Sequence, residues 1–188
     1  PYAEPLETIR KVMDTARWAP SGCNYQPWEA TILTGAPLTQ LREKLRNSQM
    51  KQPEYDWDGP KQQEKYKSRL YELGAAMFES LGIEREDKAG RAAAMGRNLT
   101  SFGAPVLLLC YFLRIVKEAQ WSDTGMWLQT IALLLREEGL DCCFQEAWAV
   151  YSPQIREVVD IPEDHIFFCG MAIGYRDTEA PVNNFDVK

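Results

Sequence analysis

The stretch Ala19-Pro20-Ser21-Gly22-Cys23-Asn24-Tyr25-Gln26-Pro27-Trp28 gathers a hydroxyl, a glycine and two carboxamides ahead of a rigid Pro-Trp pair. Carboxamides donate and accept hydrogen bonds at once, so Asn24 and Gln26 suit the edge of a flat heterocycle bearing ring nitrogens and carbonyls. A plain helix-to-strand connection, capped by its own serine and asparagine, accounts for the same residues. Elsewhere the side chains offer little for hydrolysis or group transfer. A serine or cysteine nucleophile needs a neighbouring base, most often histidine, and His165 is the one histidine in the chain. It stands at the entrance to an apolar strand beside Glu163 and Asp164, which suits a strand-edge or surface residue better than a base. Cys142 and Cys143 are adjacent and therefore face opposite sides of a strand, so they read as packing residues and not as a redox pair. No G-x-x-x-x-G-K-[ST] or G-x-G-x-x-G loop occurs to cradle a phosphate. The chemistry then falls to a bound cofactor, with the protein supplying orientation and electrostatics.

The 188 residues carry 21 basic and 27 acidic side chains, a net charge of −6. A nucleic acid or an anionic membrane surface asks for a basic face, so neither is an expected partner. The length suits one domain, spanning 1–188. The longest apolar runs are about nine residues, short of the roughly 20 that span a bilayer, and no basic-then-apolar leader is visible. The five cysteines lack any C-x-x-C pair, and with a single histidine they give no zinc-ligand spacing. Cys110, Cys143 and Cys169 lie in apolar stretches, where a free thiol behaves as a small hydrophobe. A reducing, cytoplasmic setting is the expectation.

The elements that must position the polar loop follow from periodicity. From Glu4 the chain reads as a helix, with Pro5 in its first turn and Leu6, Ile9, Val12, Met13 and Ala16 on one stripe. Pro20 ends it. Ala30–Leu33 is strand-like, and Pro37–Leu45 returns to helical spacing. Asn47–Gln63 breaks the pattern with Pro53, Trp57, Gly59 and Pro60, and is the candidate lid or insertion. Tyr66, Leu70, Leu73, Met77 and Leu81 then line one side of a helix, and Glu84–Asn98 continues helically past Gly90 and Gly96. Pro105–Leu113 is a nearly unbroken apolar run, the mark of a central strand buried on both faces. A helix over roughly Thr124–Glu138 is closed by Gly139. Asp141–Phe144 forms a short strand, Ser152 and Pro153 open another helix, and Ile166–Ile173 is the last strand. Strands alternating with helices, without a repeat, predict an α+β domain, a mixed α/β three-layer sandwich.

The loop resembles the A-P-S-G-x-N-x-Q-P-W signature of the FMN-dependent nitroreductase family. Further segments resemble that family in the same order: Phe102-Gly103-Ala104-Pro105 at a strand entry, Asp123-x-Gly125-x-x-x-Gln129 at a helix start, Gly139-Leu140-Asp141, Gly170–Tyr175, and Ala180-Pro181-Val182-Asn183. The resemblance implies a central sheet of four to five strands flanked by helices, and a homodimer with FMN at the subunit interface. It implies a ping-pong cycle in which NADH or NADPH passes a hydride to flavin N5 and a nitroaromatic, quinone or other conjugated small molecule then takes it. Chemistry on the same fold could instead be reductive dehalogenation or flavin destruction, and a flavin-free binding module would keep the fold alone.

By position, the resemblance places Pro20, Ser21, Gly22 and Asn24 in a loop that reaches the partner's flavin, with Gln26 a neighbour. It places Arg97 and Thr100 near the pyrimidine edge and ribityl chain. Phe144, Gln145, Glu146 and Ala147 fall where the chain passes N5, with the Glu146 backbone N–H as the useful group. Trp57, Tyr66 and Trp127 are candidates for the acceptor pocket, although aromatics at helical spacing usually pack in cores. Family members carry an R-R-S-x-R stretch ahead of the first helix and arginines after the V-N pair; here Asn184 and Asp186 follow that pair. Arg10, Arg17 and Lys188 are the candidate replacements for gripping the phosphate.

Overall fold

The structure, a computed structural model, describes residues 5–184; Glu4, Asp186 and Lys188 lie outside them. The chain divides into two compact units, one of residues 1–54 and 98–175, the other of 55–97 and 176–188.

The first unit is built on four strands: β1 (Glu29–Thr34), β2 (Val106–Leu113), β3 (Asp141–Gln145) and β4 (His165–Gly174). Their order is β1-β2-β4-β3, antiparallel throughout. The apolar run of β2 sits between β1 and β4 and is buried from Val106 to Phe112, as a strand covered on both faces must be. On one face, α1 (Leu6–Ala16) and α5 (Glu118–Glu137) pack Ile9, Val12, Leu128, Ile131 and Leu135 against Val106, Leu108 and Met171. On the other, α2 (Gly35–Arg46) and α6 (Ser152–Arg156) pack Leu38, Leu41 and Ile155 against Leu107, Leu109 and Phe167. The predicted three layers are therefore present, with four strands in the middle.

Two local details differ from expectation. α5 begins six residues earlier than its apolar periodicity, because Gln120 Oε1 accepts from the Lys117 backbone N–H at 3.1 Å and starts the helix on polar residues. It ends as predicted, with Gly139 at φ +77° and Leu140 N–H bonded back to Leu135 O at 2.8 Å. Ser152 does not cap α6; its hydroxyl donates to Glu54 instead.

β4 carries a bulge. Cys110 faces Cys169 while the next residue, Tyr111, faces Phe167, so Phe168 is the extra residue. Two residues on, Gly170 lies against Trp148, whose Cδ1 would be 2.8 Å from an added Cβ. Both Trp148 and its surroundings are fully buried, so Gly170→Ala should cost about 1–3 kcal/mol by overpacking, read as a lower denaturation midpoint in urea.

At the start of β4, His165 is buried between two carboxylates, Asp164 Oδ1 at 2.7 Å from Nδ1 and Glu29 Oε1 at 2.8 Å from Nε2. Burial pulls its pKa down, but the hydrogen bonds and charge of Glu29 and Asp164 outweigh that and raise it above the ordinary value. A raised native pKa contributes stability below about pH 6.5 that is lost as pH rises through the native value. Because both carboxylates are largely exposed, the contribution should be about 1 kcal/mol or less. Urea midpoints at pH 6 and pH 9 should therefore converge in His165→Gln and differ in the wild type.

In the second unit, α3 (Glu64–Ser80) and α4 (Lys88–Gly96) are joined by a turn in which Asp87 caps α4 through the Gly90 N–H at 2.8 Å. Arg91 lies over the Phe78 ring, 3.8 Å from its centroid. Of the predicted lid, 47–54 belongs to the first unit and 55–63 to the second.

Candidate active site

α1 stops at Ala16 and the chain turns through a short loop into β1. Cys23, Asn24 and Gln26 adopt left-handed backbone angles, with φ of 51°, 58° and 47°, conformations that L-residues hold only when something fixes them. Two side-chain contacts within the loop and one to α5 do so. Ser21 Oγ accepts from Gln26 N–H at 3.0 Å, and Gln26 Nε2 donates to Asn24 Oδ1 at 3.1 Å. Gly22 N–H donates to both carboxylate oxygens of Asp123, each at 3.2 Å. Asp123 is buried in the second turn of α5, so the loop is pinned to that helix. Gly22, Asn24 and Gln26 remain exposed, free to meet a ligand.

Two residues beyond Asp123, the same helix borders a cavity of about 350 Å³. Gly125 and Leu128 of α5 form one wall, Phe144 and Glu146 at the end of β3 another, and Phe168 and Cys169 of the β4 bulge a third. The bulge brings adjacent residues of one strand to the same cavity, which strict alternation forbids. Cys169 is buried opposite Cys110, and burial pushes the Cys110 thiol well above its ordinary range, so this pair packs as hydrophobes.

Gln145, between Phe144 and Glu146, does not line the cavity. It is 1% exposed, and its Nε2 donates to Asn98 O at 2.9 Å and Asn98 Oδ1 at 3.1 Å. Its Oε1 is buried with no hydrogen-bond partner among the described residues. Asn98 is the second residue of a 3-10 turn, Arg97–Gly103, that ends in three successive left-handed residues, Ser101, Phe102 and Gly103. Thr100 is exposed there.

The structure thus brings Phe144 and Glu146 to the cavity, leaves Gln145 and Ala147 out of its lining, and holds Pro20–Gln26 as a separate, pinned loop. Arg97 is the last residue of the second unit's first segment. Two expectations are corrected. Trp127 is core, stacked on Trp28 with centroids 5.6 Å apart and planes 4° apart. Cys143 is exposed, because β3 is an edge strand. Trp57 and Tyr66 lie in the second unit with exposed side chains, Trp57 beneath Lys61 Nζ at 4.9 Å. Sequence reasoning missed Asp123 as the loop's anchor, and Gly125, Leu128, Phe168 and Cys169 as cavity walls.

The model of the Nitroreductase family matches residues 5–175. The chain belongs to that family. Among nitroreductases, it is 34% identical over 179 residues to a 4-nitrobenzoate reductase of Pseudomonas putida, covering 94% of this chain and 78% of the relative. It is 40% identical to the FMN and NADPH-dependent nitroreductase NfnB of Sphigopyxis sp. strain HMH, whose crystal structure superposes with a TM-score of 0.94 over 100% of this chain and 86% of that one. The FMN-dependent nitroreductase NfnB of Mycobacterium smegmatis, solved in complex with NADPH, is 25% identical, with a TM-score of 0.89 over 100% of this chain and 85% of that one.

The residues present fit a flavin. The cavity lies in the volume range of small-molecule sites and is mostly apolar with few polar groups. Gly125 has nothing within 4 Å of an added Cβ, leaving open space at the α5 wall for a planar ring.

Proposed function

We propose that the protein is an FMN-dependent oxidoreductase that carries a hydride from NADH or NADPH to nitroaromatic, quinone or similar conjugated acceptors. The cavity bounded by Phe144 and Glu146, in a nitroreductase with relatives named for 4-nitrobenzoate and for FMN and NADPH, carries this reading. Bound FMN supplies hydride transfer between the nicotinamide and the acceptor. The chain's own residues bind the flavin, orient it and keep one ring face open.

In this reading Phe144, Glu146 and Ala147 would hold the flavin, the Glu146 backbone N–H would serve N5, and Thr100 would serve the ribityl side. Pro20, Ser21, Gly22, Asn24 and Gln26 form the loop offered to a second copy's flavin. Arg97, by the family resemblance, would stand near the flavin's pyrimidine edge. A homodimer is what the family resemblance implies, and Met126 and Leu133 on α5, at 40% and 63% exposure, with Trp18 at 79%, are apolar side chains that such an interface would cover. Arg10 and Arg17, beside that surface in sequence, are candidate phosphate contacts. No helix among the described residues is long and apolar enough to cross a membrane, and five free cysteines fit a reducing cytoplasm.

The test is direct. Purified protein incubated with excess FMN and desalted should be yellow, dimeric by light scattering, bleached by NADPH or NADH under argon, and reoxidised by 4-nitrobenzoate or a quinone. Protein that stays colourless overturns the reading; reoxidation by an iodophenol alone replaces the acceptor class. Since the useful group at Glu146 is its backbone N–H, Glu146→Gln should keep turnover within about threefold. Glu146→Pro, which removes that donor, should lower kcat by about 100-fold or more, with circular dichroism confirming the fold.

A further inference from the structure

Gln145 is placed where a leucine or methionine would fill the space at lower cost. A buried amide oxygen without a partner gives up its hydration with nothing in return, and among the described residues Gln145 Oε1 is such an atom. Across the sheet its partner is Gly170, so no side chain there reaches over to it. What the amide does accomplish is to tie two segments together: through Nε2 it grips both the carbonyl and the side-chain oxygen of Asn98, 47 positions away. One of these segments carries Phe144 and Glu146 at the cavity. The other runs through Thr100 into the left-handed turn Ser101-Phe102-Gly103, whose Ser101 Oγ is also buried without a partner among the described residues. A turn that holds two non-glycine residues in left-handed angles costs energy at each, so its anchorage to β3 determines where it lies.

We propose that Gln145 is a positioning residue that never touches the flavin. Its amide fixes the spacing between the 144–146 wall and the 98–100 segment, and thereby sets the affinity and reduction potential of bound FMN. The inference rests on the flavin reading above and assigns to that site a buried determinant of its redox tuning.

The experiment uses Gln145→Met, which conserves volume and removes both hydrogen bonds, alongside Asn98→Ala and the double variant. FMN binding to apoprotein is followed by quenching of flavin fluorescence, and the potential of the loaded protein by reductive titration against reference dyes. Gln145→Met should raise the Kd for oxidised FMN about tenfold and change the ratio of oxidised to reduced affinity by about tenfold, a shift of about 30 mV for a two-electron couple. The double variant should be no worse than Gln145→Met alone, because both changes break one linkage. A Kd within twofold of wild type, with the ratio of oxidised to reduced affinity also within twofold (about 9 mV), would overturn the proposal. So would additive effects, or a loss of affinity at unchanged potential, which marks a merely structural role. Wild-type protein that takes up no FMN would instead sink the flavin reading, and this inference with it.

Discussion

Asp123→Ala should weaken FMN binding about 10- to 100-fold. The carboxylate is buried at 5% exposure, and both its oxygens face the Gly22 N–H. A hydrogen bond to a charged group contributes about 1.5–3 kcal/mol, and each 1.4 kcal/mol is a factor of ten in affinity. The loop it holds contains three non-glycine residues in left-handed angles, Cys23, Asn24 and Gln26, so once released it relaxes to cheaper backbone conformations. Binding must then restore the strained form at its own expense. Asp123→Asn keeps an acceptor oxygen and should weaken binding only about threefold. Fluorescence titration of the two apoproteins checks this. A Kd for the alanine variant within twofold of wild type would show that the Ser21–Gln26 and Gln26–Asn24 bonds hold the loop unaided.

Glu54→Ala should lower the stability of the protein by about 3 kcal/mol at neutral pH. Glu54 ends the first segment of the first unit and accepts from four donors: Ser152 Oγ, Arg156 Nη2 at 3.0 Å, Phe167 N–H at 3.3 Å, and Arg114. It joins β2's far end, α6 and β4, and its side chain is only 16% exposed. Removing it leaves Arg156, itself 20% exposed, without its counter-charge, and breaking a buried pair costs about 3–5 kcal/mol; partial exposure of Arg114 places the value at the low end. Burial pushes the Glu54 carboxyl up, but the bonds from Ser152, Arg156 and Arg114 prevail and hold it below the usual carboxylate range. A depressed native pKa contributes stability above about pH 4.3 that is lost as pH falls through the native value. The gap in urea midpoint between wild type and Glu54→Ala should therefore be full at pH 7 and shrink toward pH 3. A gap that is equal at both would rule out charge as the cause.

Much of this was legible in the residues. The apolar run at Pro105–Leu113 announced a central strand, and Gly139 marked the end of α5, because burial on two faces and a left-handed cap each leave a compositional trace. The start of α5 left little: Trp121 is the one large apolar residue in 118–123, too few to show a period, and its cap uses Lys117 and Gln120 instead of a serine or threonine. The bulge at Phe168 was equally silent, since one extra residue in a buried strand changes register without changing composition. That is why Phe168 and Cys169 were not foreseen as cavity walls. Gln145 illustrates a different limit. Its position beside Phe144 and Glu146 was readable, but the side of β3 it takes was decided by the pleat, and its partner Asn98 by tertiary structure.

The first unit is assembled from two stretches of chain with residues 55–97 of the second unit inserted between them, and β1 pairs Glu29 with Tyr111. At about 5–20 residues per second on the ribosome, the nascent amino-terminal strand and helix wait roughly 4–16 s before β2 is synthesised to receive them. Throughout that interval Leu33, Leu38 and Leu41 have no sheet to lie against. Yield in a living host should accordingly depend on holdase chaperones and on translation speed across codons 55–105 more than on the equilibrium stability of the finished fold.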